Sequence, residues 1–327
     1  MPICEVVVIT GASSGIGRAL ARRFAREGAS IALLARGATG LEAVACEVNL
    51  LGGRALPIQV DVADADAVEA AASLIEQELG PIDIWINNAG VMVLGRAATM
   101  SPEEVRRVSD VTYHGAVWGT MAALRRMRGR GRGTIVQVVS GVAYRALPLL
   151  STYSAAKSAL RAFTESLRVE LLHDAIDVHL TTVNPSAMNT PIFTWARNLM
   201  PRQAKPMPPI YEPEVAAATI HWAAHARRRD VHLGWGTIAA VALNPVVPGL
   251  IDRVLARVGF EAQQTHELAS PCQADNLFEP VEGDFGSRGR FGARAISPAL
   301  LAQFLARWGG GGIRAAFAAG MSLLDRR

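Results

Sequence analysis

Apolar and polar positions alternate along the first two-thirds of the chain in a repeating way. Short apolar or β-branched runs at 5–10, 30–35, 55–60, 82–87, 133–139 and 177–183, with a weaker one at 230–233, read as strands. Between them, longer segments with a helical period at 15–27, 38–51, 64–79, 101–128, 151–173 and 212–226 predict helices. Strand and helix in alternation predict βαβ units and a parallel sheet. The strand runs, such as Ile135-Val136-Gln137-Val138-Val139, are nearly continuously apolar, which suits a sheet covered by helices on both faces. Ser101-Pro102-Glu103-Glu104 marks a helix start: an N-cap residue, a proline at the first position and acids in the first turn.

The character changes after about residue 260. Residues 261–296 carry proline, glycine and acids without a sustained apolar period, and predict an extended or poorly ordered polar arm. Ser297-Pro298 then opens an amphipathic helical tail over 297–327, with Leu300, Leu301, Phe304, Leu305 and Trp308 on one face and a break at Gly309–Gly312. The division expected is one α/β unit over 1–260, the arm, and the tail.

Composition narrows the classes. The chain has 327 residues, half of them hydrophobic, enough for one large core. The formal charge is +4, almost all of the positive charge being arginine. The basic clusters at Arg125–Arg132 and Arg227–Arg229 fall where helices end, as the helix dipole favours, and lack interleaved aromatics. Nucleic acid is therefore not an expected partner. Cys4, Cys46 and Cys272 are scattered, with no CxxC spacing or His/Cys cluster, so neither a disulfide framework nor a metal is expected. The residues before Gly11 lack a basic n-region, and the most apolar stretch, 231–251, is interrupted by Asn244, Pro245, Pro248 and Gly249. Neither reads as a signal peptide or a membrane span, and a cytoplasmic location is expected. The tail stripe has little cationic surface beside it, so docking on protein is expected before contact with a membrane surface.

The candidate chemistry begins where the first strand ends, at Thr10-Gly11-Ala12-Ser13-Ser14-Gly15-Ile16-Gly17. A glycine turn leading into a helix N-terminus lets backbone N–H groups approach a phosphate. The spacing Gly-x-x-x-Gly-x-Gly differs from the common G-x-G-x-x-G fingerprint, and by itself also suits a merely tight connection. Further along stand Asn87-Asn88-Ala89-Gly90 after the fourth strand and Ser140 after the fifth. Tyr153-Ser154-Ala155-Ala156-Lys157 opens the next helix, and Pro185 through Thr190 follows the sixth strand.

In order and spacing this set resembles the short-chain dehydrogenase/reductase family over residues 3 to about 235. The resemblance implies a doubly wound, Rossmann-type α/β fold of about seven parallel strands. It also implies a nicotinamide dinucleotide cofactor, a small-molecule substrate, and a homo-oligomer paired through the helices at 101–128 and 151–173. Carried onto this sequence, the cofactor contacts are Gly11, Ser13, Ser14, Gly15, Ile16, Gly17, Asp61, Val62, Asn88, Ala89, Gly90, Pro185 and Thr190, with Tyr153 and Lys157. Tyr153 becomes the acid/base, Lys157 the cation one turn away that lowers its pKa, and Ser140 the donor to the substrate oxygen. The family has Asn where this chain has Thr112; that Asn acts partly through its backbone carbonyl, which Thr112 retains. At the end of the second strand, where an acid would select NAD, the chain has Arg36, which suits the 2′-phosphate of NADP.

On the substrate side, Val91–Leu94, Gly141–Leu150 and the loop from Ser186 to Tyr211 are expected to surround the ligand. Met188, Phe193, Trp195, Met200, Met207 and Tyr211 either line a roomy apolar pocket or pack the loop on the core. Arg145 and Arg197 either meet an anionic group or are solvated, and His114 is either an additional titrating group or an exposed histidine. The expectation is an NADP(H)-dependent oxidoreductase acting on an apolar secondary alcohol or ketone. The alternative is a catalytically weak NADP-binding regulatory or scaffold protein.

Overall fold

A computed structural model describes residues 5–270 and 273–301. Seven strands form one parallel sheet: β1 (Val6–Thr10), β2 (Ser30–Ala35), β3 (Arg54–Gln59), β4 (Ile84–Asn87), β5 (Thr134–Val138), β6 (His179–Pro185) and β7 (Asp230–Leu233). Their order across the sheet is β7-β6-β5-β4-β1-β2-β3. The chain thus winds outward in both directions from β1 and β4. A crevice opens at that switch point beyond the carboxyl ends of the strands, the place where such sheets bind ligands.

The connecting helices are α1 (Gly15–Ala25), α2 (Ala38–Leu50), α3 (Ala65–Leu79), α4 (Pro102–Ser109), α5 (Gly115–Arg130), α6 (Ser151–His173) and α7 (Pro213–His225). Successive β1 residues point to opposite faces, and both faces are dry. Val7 and Ile9 join Leu20, Phe24, Val44 and Ile220 from α1, α2 and α7. Val6 and Val8 join Val68, Ile75, Val108 and Leu167 from α3, α4 and α6. This is why the strand runs in the sequence are continuously apolar. Helix starts follow local chemistry too: Ser101 and Glu104 close a full capping box on α4, and the Asp64 carboxylate caps α3 through the N–H groups of Asp66 and Ala67.

Two regions depart from the expected picture. The interrupted apolar stretch at 231–251 supplies β7 and then a helical hairpin, α8 (Trp235–Leu243) and α9 (Pro248–Ala262), with Pro248 in the first turn of α9. No helix among the described residues is long and apolar enough to cross a membrane. The segment after α9 is extended, as its composition suggests, but it follows the surface of the α/β unit in contact with it. Gln264–Leu268 pairs antiparallel with Arg202–Ala204, and Ala295–Ile296 pairs parallel with Ile210–Tyr211. Phe304, Leu305 and Trp308 of the tail lie outside the described residues.

Candidate active site

The crevice opens into a cavity of about 550 Å³. Its wall holds nearly all the residues singled out in the sequence: Gly11, Ser13, Ser14, Gly15, Ile16, Arg36, Asp61, Val62, Asn88, Ala89, Gly90, Ser140, Tyr153, Lys157, Pro185 and Thr190. Gly17 and Thr112 are the two that stand behind it.

The glycine turn is shaped by close approach. Gly11 has φ +66°, and a Cβ there would lie 2.8 Å from the Ala89 Cα; a Cβ on Gly17 would lie 2.2 Å from the Gly11 carbonyl oxygen. Both are shorter than real contacts allow, so the turn and the helix can meet only as glycine. Asn88 fastens this turn from the neighbouring strand: its side-chain amide donates to the carbonyls of Thr10 at 3.0 Å and Gly11 at 3.2 Å. The Thr10 hydroxyl in turn accepts from the N–H groups of Asn88 and Ala89 at 2.9 and 3.0 Å. Asn87 bonds Trp85 Nε1 and the Thr120 hydroxyl, tying β4 to α5. Ser14 stands at the N-cap of α1 and makes no capping bond with its side chain.

Arg36 and Asp61 mark the far end of the cleft. The Arg36 guanidinium donates to three backbone carbonyls, those of Asn276, Leu277 and Phe278, the last at 2.7 Å. Burial, then the nearby Arg107, push its pKa down, while Asp61 and Glu279 act the other way; no carboxylate is within ion-pair distance of it among the described residues. Asp61 pairs with Arg107 and accepts the N–H of Ala63 at 3.0 Å. Its carboxylate is therefore engaged within the protein.

At the other end, Tyr153 and Lys157 lie one turn apart on α6. Lys157 is 3% exposed, and its ammonium donates to the Val138 carbonyl at 2.7 Å. Its Nζ lies 5.7 Å from the centroid of the Tyr153 ring. Gly90 sits against both Lys157 Nζ and the Thr112 side chain, at 4.0 and 3.6 Å from where its Cβ would be. Ser140, at the end of β5, accepts the Val142 N–H at 3.3 Å. Burial pushes the Tyr153 phenol up to about 12 and the Lys157 ammonium down to about 8.

Thr112 is wholly buried in a turn of π-helix, Asp110–His114, between α4 and α5. Its hydroxyl donates to the Val91 carbonyl at 3.0 Å and accepts the Val91 N–H at 3.1 Å. The side chain is thereby spent on the loop after β4. Such π-turns shift the backbone hydrogen-bond register, and they recur at functional sites.

The substrate end is apolar. Met188, Phe193, Trp195 and Met207 reach the cavity as one of the two readings of that loop requires. Two others do not reach it: Met200 packs beside Met92 and Leu94, and Tyr211 is buried in the main core with its hydroxyl accepting the Trp235 N–H at 3.2 Å. Sequence reasoning missed the hairpin, which contributes Thr237, Ala240, Leu243, Ile251 and Leu255. Their spacing on two short apolar helices was the available signal. Arg145 meets Asn244 at 3.0 Å and Asp252, locking the hairpin to the loop after β5. Arg197 pairs with Glu104 and with Asp275 at 2.9 Å. Arg197 is thus a structural tie, whereas Arg145 ties the hairpin and also lines the cavity. His114 is partly exposed and contacts Asp110 at 3.1 Å. No cluster of potential metal ligands exists among the described residues.

Comparison with known proteins agrees with this geometry. A family model for short chain dehydrogenase matches residues 5–199. The uncharacterized oxidoreductase YxnA of Bacillus subtilis (strain 168) is 33% identical over 277 residues, covering 84% of this chain and 78% of YxnA. The probable oxidoreductase EphD of Mycobacterium tuberculosis (strain ATCC 25618 / H37Rv) is 43% identical over 188 residues, 57% of this chain but only 31% of EphD. Among solved structures, an alcohol dehydrogenase from the archaeon Thermococcus sibiricus, complexed with 5-hydroxy-NADP, superposes with a TM-score of 0.62 at 28% identity. It covers 70% of this chain and 96% of its own. A short-chain type dehydrogenase/reductase from Mycobacterium marinum gives 0.63 at 27% identity, over 71% of this chain and 95% of that one. Sheet order, glycine turn and sequence relatives converge: the chain is an oxidoreductase of the short-chain dehydrogenase/reductase family.

Proposed function

We propose that the protein is an NADP(H)-dependent oxidoreductase that interconverts an apolar secondary alcohol and its ketone, with Tyr153 exchanging the proton. The observation that carries this reading is a single cavity with two chemically distinct ends. One end has the glycine turn, a helix N-terminus whose Ser14 side chain makes no capping bond, and Arg36, with no acid at the end of β2. The other has Ser140, Tyr153 and Lys157 beside an apolar wall.

The chain's residues fit a dinucleotide. The first turn of α1 offers N–H groups and a partial positive charge to a pyrophosphate. Arg36, bonded to neutral carbonyls, suits a dianionic 2′-phosphate. When bound, the nicotinamide supplies or accepts the hydride, chemistry that no side chain here provides. The phenol of Tyr153, held protonated at neutral pH, donates its proton to the oxygen of a ketone. Ser140 Oγ hydrogen-bonds the same oxygen and stabilises the charge that develops on it. Lys157, held by the Val138 carbonyl and lowered by burial to about 8, returns a proton to Tyr153. Thr112 contributes through its backbone, its hydroxyl being taken by Val91. The apolar hairpin and the loop at 188–207 select a substrate with a bulky hydrocarbon part. We also infer a homo-oligomer: Val105, Met121, Val169 and Leu172 leave exposed apolar surface on α4, α5 and α6.

Oxidation of NADPH across a panel of ketones of increasing apolar bulk tests this reading. Turnover with NADPH preferred over NADH, rising with apolar bulk, is expected. Cofactor binding without oxidation by any carbonyl would favour the regulatory or scaffold alternative.

A further inference from the structure

The α/β unit leaves the cofactor cleft open to solvent on its outer side, and residues 273–291 run across that opening. Their contacts pass from one rim to the other. At the substrate loop, Asp275 pairs with Arg197 and the Asn276 N–H donates to the Trp195 carbonyl at 2.9 Å. Leu277 is wholly buried in the apolar cluster containing Val60, Val62, Val108 and Val111. The three successive carbonyls of residues 276–278 hold Arg36. Glu282 then meets Thr39 at 3.2 Å, Asp284 pairs with the buried Arg18 of α1, and the Gly286 carbonyl accepts the Gly15 N–H at 3.2 Å. Finally the Gly289 N–H donates to the Asn189 carbonyl at 3.0 Å, beside Thr190.

Space remains beneath this segment. Pro280, Val281, Gly283 and Phe285 line the same cavity as the glycine turn and Arg36, and the Phe285 ring meets Trp195 edge-on at 4.5 Å. The segment therefore roofs the cleft and leaves it unfilled. The two solved relatives described above align with 70% and 71% of this chain at almost their full length, so more than a quarter of this chain has no counterpart in them.

We propose that residues 273–291 form the outer wall of the cofactor site: the wall fixes Arg36 toward the 2′-phosphate, and the dinucleotide enters and leaves only when the wall opens. The inference rests on the NADP(H) reading above. Three consequences follow from how the wall is held. Carbonyls that orient a guanidinium do not neutralise it, so Arg36 keeps its charge for a phosphate. A wall pinned on both rims retards release of what lies beneath. The wall's ties lie away from Ser140, Tyr153 and Lys157, so loosening it changes cofactor exchange before it changes proton transfer.

The test measures NADPH and NADH dissociation by stopped-flow displacement, with hydrogen exchange of 273–291 in the free and loaded full-length protein. Asp284→Asn removes an ion pair with one half-exposed partner, and its NADPH dissociation is expected to quicken about three- to fivefold, the size of one partly exposed pair. Leu277→Ala removes the buried anchor and is expected to give more than about tenfold, with a smaller preference for NADPH over NADH. NADPH is expected to slow exchange of the wall in the wild-type protein. Unchanged dissociation in both variants overturns the proposal, as does a wall that exchanges faster once NADPH binds, since the cofactor would then displace it. A wild-type protein that binds neither dinucleotide overturns the cofactor reading itself, and the wall's role with it.

Discussion

The floor and the roof of the cleft are held by different forces. The floor is the edge of the sheet, where Ile9, Leu33, Ile86 and Val136 are wholly buried and every strand is bonded to its neighbours. The roof is an extended segment with one wholly buried apolar anchor, Leu277, and a series of polar ties. Two of those ties, Arg18–Asp284 and Arg197–Asp275, have a partner whose side chain is 47% and 41% exposed respectively. Apolar burial gives the floor a fixed geometry, whereas half-exposed ion pairs contribute little each. The floor can therefore hold reacting groups in place while the roof opens at modest free-energy cost. One site thus combines pre-organised chemistry with an entrance that closes.

The largest effect should come from breaking the floor's chemistry alone. Tyr153→Phe removes the proton donor and leaves the phosphate turn and the roof intact. Turnover should fall by about 10²- to 10⁴-fold while NADPH affinity, read by fluorescence titration, stays within a factor of about two. Appreciable ketone reduction by this variant would show that the acid lies elsewhere.

Next in size is the strain that chemistry places on the floor. Burial lowers Lys157 from 10.5 to about 8. Below pH 8 the lysine is charged both folded and unfolded, and the folded state bears the whole penalty, about 3 kcal/mol. Between pH 8 and 10.5 the unfolded chain holds the extra proton, so stability rises with pH. Lys157→Met should therefore be more stable than wild type at pH 7 by up to about that amount, less what the Val138 carbonyl loses with its donor. The gap should close toward pH 10.5. Urea melts of both proteins across this range check the sign; a gap that does not change with pH contradicts the assigned burial penalty.

Arg36 joins floor to roof. Arg36→Asp should weaken NADPH by about ten- to a hundredfold, the size of a charge-assisted contact of roughly 1.5–3 kcal/mol, and NADH much less. Equal losses for both dinucleotides would place the 2′-phosphate away from β2. Smaller again is Thr112→Val, which leaves both backbone groups of Val91 without a partner. A loss of about 1–2 kcal/mol in stability is expected, with turnover changed less than about fivefold. A large loss of turnover at unchanged stability would mean the hydroxyl acts in the chemistry. The smallest effect concerns the roof alone. Raising salt from about 0.05 to about 0.5 M shortens the Debye length to a few ångströms. Proteolytic cleavage within 273–291 should then rise about two- to threefold, with little change in the melting temperature. Equal loosening of floor and roof would erase the distinction between them.

The floor was legible in the sequence because its signals are local. The central strands are apolar runs, α3 and α4 begin with their own caps, and the motifs sit at fixed offsets from strand ends. Ser151–His173 is the helix the periodicity predicts, residue for residue. The roof was not legible, because its partners are remote and its composition imitates a solvated arm. Leu277 is the only aliphatic residue of its stretch that is wholly buried, and Arg107, whose Nε donates to its carbonyl at 2.9 Å, lies 170 residues earlier. The hairpin was obscured for a related reason. Pro248 interrupts an apolar run as a loop would, yet here it starts a helix, where its missing N–H is no loss. Arg145 and Arg197 look alike in sequence to any solvated arginine; only the fold brings Asp252 and Asp275 to them. The tyrosine's raised pKa was hidden because it depends on how the folded chain packs around the phenol.

On the proposed function, this floor reduces a ketone with NADPH and Tyr153 delivers the proton. A single-turnover experiment tests it most directly. Wild-type protein and Tyr153→Phe, each loaded with one equivalent of NADPH, are mixed with a bulky aliphatic ketone, and NADPH loss and alcohol formation are followed together. One alcohol formed per NADPH oxidised is expected in the wild type, and retained, unoxidised NADPH in the variant. Wild-type protein that keeps its NADPH unoxidised across the ketone panel, or a variant that oxidises it as fast, would contradict the account.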